Sequence, residues 1–366
     1  MRRLRKSSSK PPRASLSPVP GPRDGWLQRG GIDLHYLEWN HQVEADSAPV
    51  LLLHGLSSNA HYWDRVATRL DGRRLIALDQ RGHGLTGRPP HAPSAPGGFA
   101  MEELLSDATF VAESLGLQRP VVVGHSWGAT VALELVARNR GFASALVFID
   151  GPVQGAANLF SWDEAQQIMQ PALPRYSSLA EAVADARRDF DPSWNDDLEP
   201  YVMARVMLDG VDLVLTLTSE ARLALLRGLY DSPVDQLWAS LDVPTKALIA
   251  RGDSPRISSW KEKGGKRLRQ IAPEVEVRWF DTPHDIPIFV PAEVAEVIEA
   301  AAERTSEPAG SEAAVMSAMQ PKPRPATTRA ATAPAMRPTT IHDSHDPRSS
   351  TTPASGSVTA RSCITC

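Results

Sequence analysis

The chain has 366 residues, 42% of them hydrophobic and 22% charged, so it carries enough apolar side chains for a sizeable buried core. A formal net charge of -4 gives no reason to expect a nucleic-acid partner. No apolar run approaches the roughly 20 residues that a membrane span needs, so we expect a cytoplasmic protein without integral membrane association. Cys363 and Cys366 are the two cysteines, and their position at the C-terminal end excludes a disulfide framework in the core.

Both ends of the chain differ in composition from its middle. Residues 1–24 are basic and rich in serine and proline, which predicts a disordered tail. A targeting segment is the alternative, although the prolines disfavour an amphipathic helix. Residues 304–366 consist mainly of Ala, Thr, Pro and Ser, which bury too little apolar surface to offset the entropy of ordering. We therefore expect a second disordered tail there.

The middle alternates apolar runs with helical patterns, which is typical of a mostly parallel sheet covered by helices. Gly30-Gly31 predicts a hairpin turn between a first short strand and a second one over residues 32–39. Continuous apolar runs predict buried strands over residues 49–53, 75–78, 120–123, 145–149 and 247–250, and alternation predicts one nearer the sheet edge over 275–280. Apolar residues three or four apart predict helices over residues 63–70, 101–115, 129–138 and 292–302.

Residues 152–237 interrupt this alternation. They show only helical patterns, punctuated by prolines, over 179–190, 198–208 and 220–230. We interpret the segment as a helical cap inserted into an α/β core made of residues 25–151 and 238–303. Ligands bind at the carboxyl ends of the strands in open parallel sheets, so the cap would cover a site there. The alternative is a helical bundle with no part in binding.

The strongest chemical signal is Gly124-His125-Ser126-Trp127-Gly128, which follows a predicted buried strand and runs directly into a predicted helix. This strand-turn-helix setting separates a nucleophile elbow from a chance G-x-S-x-G match. The turn is tight enough to strain the serine backbone, and the flanking glycines avoid collisions with neighbouring elements. The sequence therefore predicts Ser126 as a nucleophile presented at the edge of the sheet.

A serine nucleophile needs a base that is held in place by a third group. In this architecture the chain order is serine, acid, histidine. His284 follows the last predicted strand and is the expected general base. Asp253, after the penultimate strand, is the preferred acid, and Asp150, at the end of the preceding strand, is the alternative. Asp285 is expected to be a solvated charge, because neighbouring loop residues rarely face each other.

Acyl transfer also requires donors for the oxyanion, and one donor often contributes about 3–4 kcal/mol to lowering the barrier. The backbone N–H of Trp127 is one candidate, and that of Leu56, in the loop after the 49–53 strand, is the other. His54 is expected to be a structural hydrogen-bonding residue. No carboxylate accompanies His54 and His61 at ligand spacing, so we expect no metal and no cofactor.

These motifs together resemble the α/β-hydrolase superfamily, in particular serine members with a helical cap, over about residues 25–303. The segments that carry the resemblance are His54-Gly55, Asp79-Gln80-Arg81-Gly82-His83-Gly84, Gly124 to Gly128, Gly252-Asp253 and His284-Asp285-Ile286-Pro287. The resemblance implies an α/β-hydrolase fold and a cofactor-independent hydrolase acting on a small acyl substrate, most simply a carboxylic ester. It leaves the identity of that substrate open.

Comparison with the superfamily also separates its branches. Haloalkane dehalogenases and epoxide hydrolases of this fold attack with an aspartate at the elbow, where this chain has Ser126. A carbon–carbon bond hydrolase and a perhydrolase or haloperoxidase-like enzyme use a serine triad and stay open. A member that binds a small molecule without turning it over is a further alternative. A lipase acting at a membrane surface would need an exposed apolar lid, for which residues 211–217 are the candidate segment.

Overall fold

The computed structural model describes residues 21–43, 47–89, 96–252 and 254–303. Both predicted tails fall largely on residues 1–20 and 304–366, beyond this part of the chain. The strands are β1 Arg23–Arg29, β2 Ile32–Trp39, β3 Val50–Leu53, β4 Leu75–Leu78, β5 Val121–His125, β6 Ala145–Ile149, β7 Arg175–Tyr176, β8 Val206–Asp209, β9 Asp212–Leu215, β10 Thr245–Ala250 and β11 Glu276–Phe280.

The α-helices lie between and after these strands. They are α1 Asp64–Ala67, α2 Met101–Ser114, α3 Trp127–Arg138, α4 Trp162–Met169, α5 Leu179–Asp189, α6 Glu199–Arg205, α7 Ser219–Asp231, α8 Val234–Ser240, α9 Pro255–Ile271, α10 Ile286–Phe289 and α11 Pro291–Glu303. Within the described residues, no helix combines the length and the apolar character that crossing a bilayer would require.

Eight strands form the main sheet in the order β1-β2-β4-β3-β5-β6-β10-β11. β1 and β2 form the predicted hairpin, and β2 pairs antiparallel with β4. The other six strands of this sheet, which are β4, β3, β5, β6, β10 and β11, are mutually parallel. β5, which leads to Ser126, lies near the middle of the sheet, so the loops after its neighbours β3 and β6 flank the serine.

The central strands are buried on both faces. Leu51 and Leu53 of β3 pack into one core cluster together with residues of α2 and α3. Val50 and Leu52, which point to the opposite face, pack with residues of α1 and α11. Because side chains alternate across a strand, helices on both sides make these strands continuous apolar runs, as the sequence shows.

Residues 152–237 are not purely helical, which corrects the expectation from sequence. They contain α4 to α7 and the first residues of α8, but also a small antiparallel sheet in the order β7-β9-β8. β8 begins at Val206, inside the helix predicted over 198–208. Gly210, with a φ of +66°, is the first of two loop residues between β8 and β9, which is the backbone that a tight hairpin requires.

The apolar segment 211–217 is divided between solvent and core. Val211, at the hairpin tip, is 89% exposed, and Leu208 on the other strand is 68% exposed. Leu215 and Leu217 are buried. Leu215 and Leu217 therefore anchor the hairpin to the rest of the chain.

The glycines of the elbow generate a prediction about stability. A Cβ on Gly124 would lie 2.3 Å from the carbonyl oxygen of Gly128, which is backbone that cannot rotate away. We expect Gly124→Ala to lower the free energy of unfolding by about 1–3 kcal/mol, the usual cost of overpacking. Gly228→Ala in α7 is the control, because nothing lies within 4 Å of the added Cβ. It should stabilise the protein by about 0.5–1 kcal/mol.

Urea denaturation of both variants beside the unchanged protein measures the difference. Equal stability of Gly124→Ala and Gly228→Ala would contradict the close approach at the elbow.

Candidate active site

Ser126 lies between β5 and α3 with φ +56° and ψ −123°. Its N–H donates to the carbonyl of Ile149 at the end of β6, at 2.8 Å. A Cβ on Gly128 would lie 2.2 Å from the carbonyl oxygen of His54, so the first turn of α3 packs directly on the end of β3. The two flanking glycines thus permit the close packing that holds Ser126 at the carboxyl ends of the central strands.

His284 meets the serine from the loop after β11. Its Nε2 lies 2.9 Å from Oγ of Ser126, and its Nδ1 lies 2.7 Å from Oδ2 of Asp150. With its proton on Nδ1, the ring donates to the carboxylate and can accept the hydroxyl proton of the serine. Ser126, His284 and Asp150 therefore form a continuous hydrogen-bonded chain.

Asp150, the alternative of the two acids weighed from sequence, places its carboxylate against Nδ1 of His284. It follows β6, which pairs with both β5 and β10, so its carboxylate reaches the histidine from the strand next to the serine. Its Oδ1 accepts the N–H of Ala250 at 2.8 Å. Asp253, the acid preferred from sequence, is outside the residues that the structure describes, so that preference stays a prediction without a structural test.

A lysine also contacts this carboxylate. Nζ of Lys261, from α9, lies 2.5 Å from Oδ2 of Asp150, the same oxygen that faces His284. The Asp150 side chain is fully buried and that of Lys261 is 5% exposed. Neither α9 nor a role for Lys261 was predicted from the sequence. Ser254 followed by Pro255 is a helix start that could have indicated it.

The ionisation of the pair follows from these contacts. Burial by itself raises the pKa of Asp150, but the His284 hydrogen bond and the Lys261 charge outweigh it and hold that pKa below its ordinary value. Burial by itself lowers the pKa of His284, but the hydrogen bond and charge of Asp150 outweigh it and raise the pKa above 6.5. Asp285 adds to that increase and Lys261 opposes it.

Asp285 is buried, 4% exposed, rather than solvated as expected from sequence. Its Oδ1 accepts the hydroxyl proton of Tyr62 at 3.1 Å. Tyr62 stacks on His125, whose Nε2 lies 3.1 Å from the carbonyl oxygen of His284. Asp285 thus points away from the serine, into a buried polar cluster that fixes the backbone of the histidine loop.

The loop after β3 carries the predicted oxyanion donor Leu56. The Ser58 N–H donates to the Gly55 carbonyl oxygen at 3.2 Å and so closes a turn. The N–H of Leu56, the second residue of that turn, takes no part in this hydrogen bond. Trp127 is the first residue of α3, where N–H groups have no intrahelical acceptor. Leu56 and Trp127 line the same cavity as Ser126 and His284.

Three side chains hold this loop in place. His54 receives the Gln80 N–H on its Nε2 at 3.1 Å, and the Gln80 side chain donates to the His54 carbonyl, which confirms His54 as a structural residue. His83 accepts the N–H of Ser57 on its Nε2. Burial lowers the pKa of His83 to about 3, so its ring is neutral and able to accept. Arg222 of α7 donates to Oγ of Ser57 and so ties the 152–237 segment to the loop.

A cavity of about 100 Å³ opens beside Ser126. Besides the hydrogen-bonded chain and Lys261, its walls are mostly apolar side chains, including Phe160, Ile168, Met169, Leu229, Ile257 and Trp260. Residues 152–237 supply Phe160, Ile168, Met169 and Leu229, so that segment forms part of the cavity wall beside Ser126. Among the described residues, no group of three or more His, Cys, Asp or Glu side chains could hold a metal ion.

The chain is similar in sequence to known α/β hydrolases. Residues 48–191 match the model of the α/β hydrolase fold. Lipase LipV of Mycobacterium tuberculosis is 28% identical over 294 residues, 73% of this chain and 97% of the lipase. Epoxide hydrolase 3 of Xenopus tropicalis is 32% identical over 127 residues, 34% of this chain, and the match spans only 33% of its own length.

Solved structures share the architecture. The thioesterase domain from the curacin biosynthetic pathway superposes with a TM-score of 0.63 at 18% identity, covering 77% of this chain and all of that domain (100%). E-2-(acetamidomethylene)succinate hydrolase gives a TM-score of 0.61 at 18% identity, with 76% and 98% covered. At these identities the likeness concerns the fold. Together with the matched family model and the elbow geometry, it shows that the chain has the α/β-hydrolase fold.

Proposed function

We propose that this protein is a cofactor-independent serine hydrolase that cleaves a carboxylic ester through an acyl-enzyme on Ser126. The observation that carries the proposal is the hydrogen-bonded chain from Ser126 through His284 to Asp150, at 2.9 and 2.7 Å. A serine hydroxyl is a poor nucleophile unless an adjacent base removes its proton. The described geometry supplies that base and a buried carboxylate to orient it.

In this mechanism His284 accepts the Ser126 proton on Nε2 while Oγ attacks the ester carbonyl carbon. Asp150 keeps the other proton of the ring on Nδ1 and stabilises the imidazolium that forms. The tetrahedral intermediate collapses when the carbon–oxygen bond to the alcohol breaks, and His284 returns its proton to the leaving alcohol. Water, deprotonated by His284, then attacks the acyl-enzyme, and the acid leaves as Ser126 regains its proton.

The negative oxygen of each tetrahedral intermediate needs donors that are already oriented. We assign this role to the backbone N–H groups of Leu56 and Trp127, since both residues line the cavity beside Ser126. The dipole of α3, whose first residue is Trp127, adds favourable potential at the same point. His54, His83 and Arg222 hydrogen-bond to this loop or to the residues beside it, which supports a fixed position for the Leu56 N–H.

The similarity to epoxide hydrolases does not extend to their chemistry in this proposal. An alkyl-enzyme ester needs a carboxylate at the elbow, and this chain has the hydroxyl of Ser126 there. The mostly apolar cavity favours an uncharged acyl group of the substrate.

The roles of the two acids can be separated by substitution. We expect Ser126→Ala to abolish hydrolysis of p-nitrophenyl acetate, and Asp150→Asn to lower kcat by about 10⁴-fold, because the imidazole then loses its tautomer and orientation. Asp253→Asn should lose far less activity. Melting curves of all three variants provide the control for folding. A loss of similar size in Asp253→Asn, with Asp150→Asn active, would contradict the assignment of Asp150.

The pH dependence follows from the raised pKa of His284. Only the neutral imidazole accepts the serine proton, so kcat/KM should fall as the pH is lowered through that pKa, with the midpoint above pH 6.5. Asp285→Asn should move the midpoint to lower pH, because the Asp285 charge favours the imidazolium. The asparagine side chain keeps an oxygen that can accept the Tyr62 hydroxyl proton, so the local packing should be preserved. A midpoint that stays fixed in folded Asp285→Asn would contradict this electrostatic account.

The size of the cavity predicts the preferred acyl group. At about 100 Å³ it is smaller than the roughly 150 Å³ cavity that holds benzene, so acetyl and butyryl esters should react faster than octanoyl esters. Leu229→Ala should shift the optimum towards longer chains, because Leu229 lines the cavity from α7. Leu226→Ala is the matched control, a buried leucine of the same helix that is not among the lining residues. An equal shift in both variants would count against acyl binding in this cavity.

A further inference from the structure

Lys261 is buried, and burying the charge of a lysine is energetically unfavourable. On α9 the buried positions are Lys261, Gly264, Gly265 and Leu268, which share one face of the helix. A buried ammonium loses its hydration, and an ion pair of this kind is often no more stable than an apolar pair of similar volume. The fold therefore gains little from a lysine at this position, and its contact with Asp150 calls for a role in the site.

The glycines of α9 bring the lysine to the carboxylate. A Cβ on Gly264 would lie 2.4 Å from Cγ2 of Val153, in the loop after β6, and one on Gly265 would lie 2.9 Å from the Trp279 ring of β11. Only helices without side chains at these two positions can approach so closely. One turn earlier, the same face carries Lys261 onto Asp150.

Oδ2 of Asp150 is shared between two cationic or potentially cationic groups. Nζ of Lys261 lies 2.5 Å from this oxygen and Nδ1 of His284 lies 2.7 Å from it. With the lysine charged, the carboxylate is already neutralised before His284 takes up a proton. Protonation of His284 would then place a second positive charge beside a single buried negative one.

We propose that Lys261 is a positioning residue of the site: its ammonium fixes the Asp150 carboxylate against His284, and its charge keeps the imidazole neutral down to lower pH. The inference rests on the proposed function, since it concerns the base of the same reaction. The effect is to extend activity into mildly acidic solution while Asp150 still orients the ring.

Other groups around His284 also affect its pKa, and their effects have to be distinguished from that of Lys261. Burial lowers the pKa of His125 well below its usual value, so that ring is neutral and adds no charge of its own. Asp285 acts in the opposite direction to Lys261, and Tyr62 donates its hydroxyl to Asp285. The described titratable or charged side chains around His284 include Asp150, Lys261, Asp285, His125 and the Ser126 hydroxyl.

The test compares pH profiles of kcat/KM with p-nitrophenyl acetate for four variants of the full chain. Lys261→Met removes the charge, Lys261→Gln keeps a donor without the charge, and Lys261→Arg keeps the charge. Lys266→Met is the matched control, an exposed lysine of the same helix. We expect the acidic midpoint to rise by about one pH unit in Lys261→Met and Lys261→Gln. Lys261→Arg should return it towards the original value, and Lys266→Met should leave it unchanged.

An unmoved midpoint in folded Lys261→Met and Lys261→Gln would overturn the proposal. Loss of folding in both would assign Lys261 to the fold rather than to the site, and would overturn it as well. The ring resonance of His284, followed by NMR over the same pH range, measures the coupling to Lys261 without turnover. If the unchanged protein hydrolyses no ester but the resonance midpoint still rises in Lys261→Met, the proposed function fails while the coupling of Lys261 to His284 stands.

Discussion

Ser126 holds a φ of +56° between a buried strand and a buried helix, and a non-glycine residue keeps such a backbone only where its surroundings impose it. Gly124 and Gly128 make this backbone conformation possible, because they let α3 pack closely on β5 and on the end of β3. The loop that carries Leu56 therefore lies against the elbow. The serine hydroxyl, the Leu56 loop and the start of α3 consequently meet at one point of the sheet edge.

Charge at this point is organised around one carboxylate oxygen. Oδ2 of Asp150 faces both His284 and Lys261, and Oδ1 is held by the backbone of β10. The histidine is thus oriented from the strand next to the serine, while Lys261 of α9 contributes the opposing charge. Arg222 adds a second link, between the helices over the site and the loop of Leu56.

Much of this arrangement could be predicted from sequence, because apolar runs specify strands that are buried on both faces and because the elbow has a strong local signature. The choice between Asp150 and Asp253 could not, since both follow strands and only the three-dimensional course of the loops decides which carboxylate reaches His284. α9 was missed because Gly264-Gly265 interrupts its helical pattern, although those glycines serve its close packing. The β8–β9 hairpin was missed because Val206 to Leu208 continue a helical spacing until Asp209-Gly210.

The central claim is that Ser126 is an activated nucleophile, and covalent labelling tests it most directly. The folded protein is incubated with a fluorophosphonate, digested, and the modified peptide is identified by mass spectrometry. We expect one stoichiometric adduct on Ser126, which does not form when the protein is denatured before labelling and is absent from Ser126→Ala. Folded protein that stays unlabelled, or an adduct on Ser57 of the neighbouring loop instead, would contradict it.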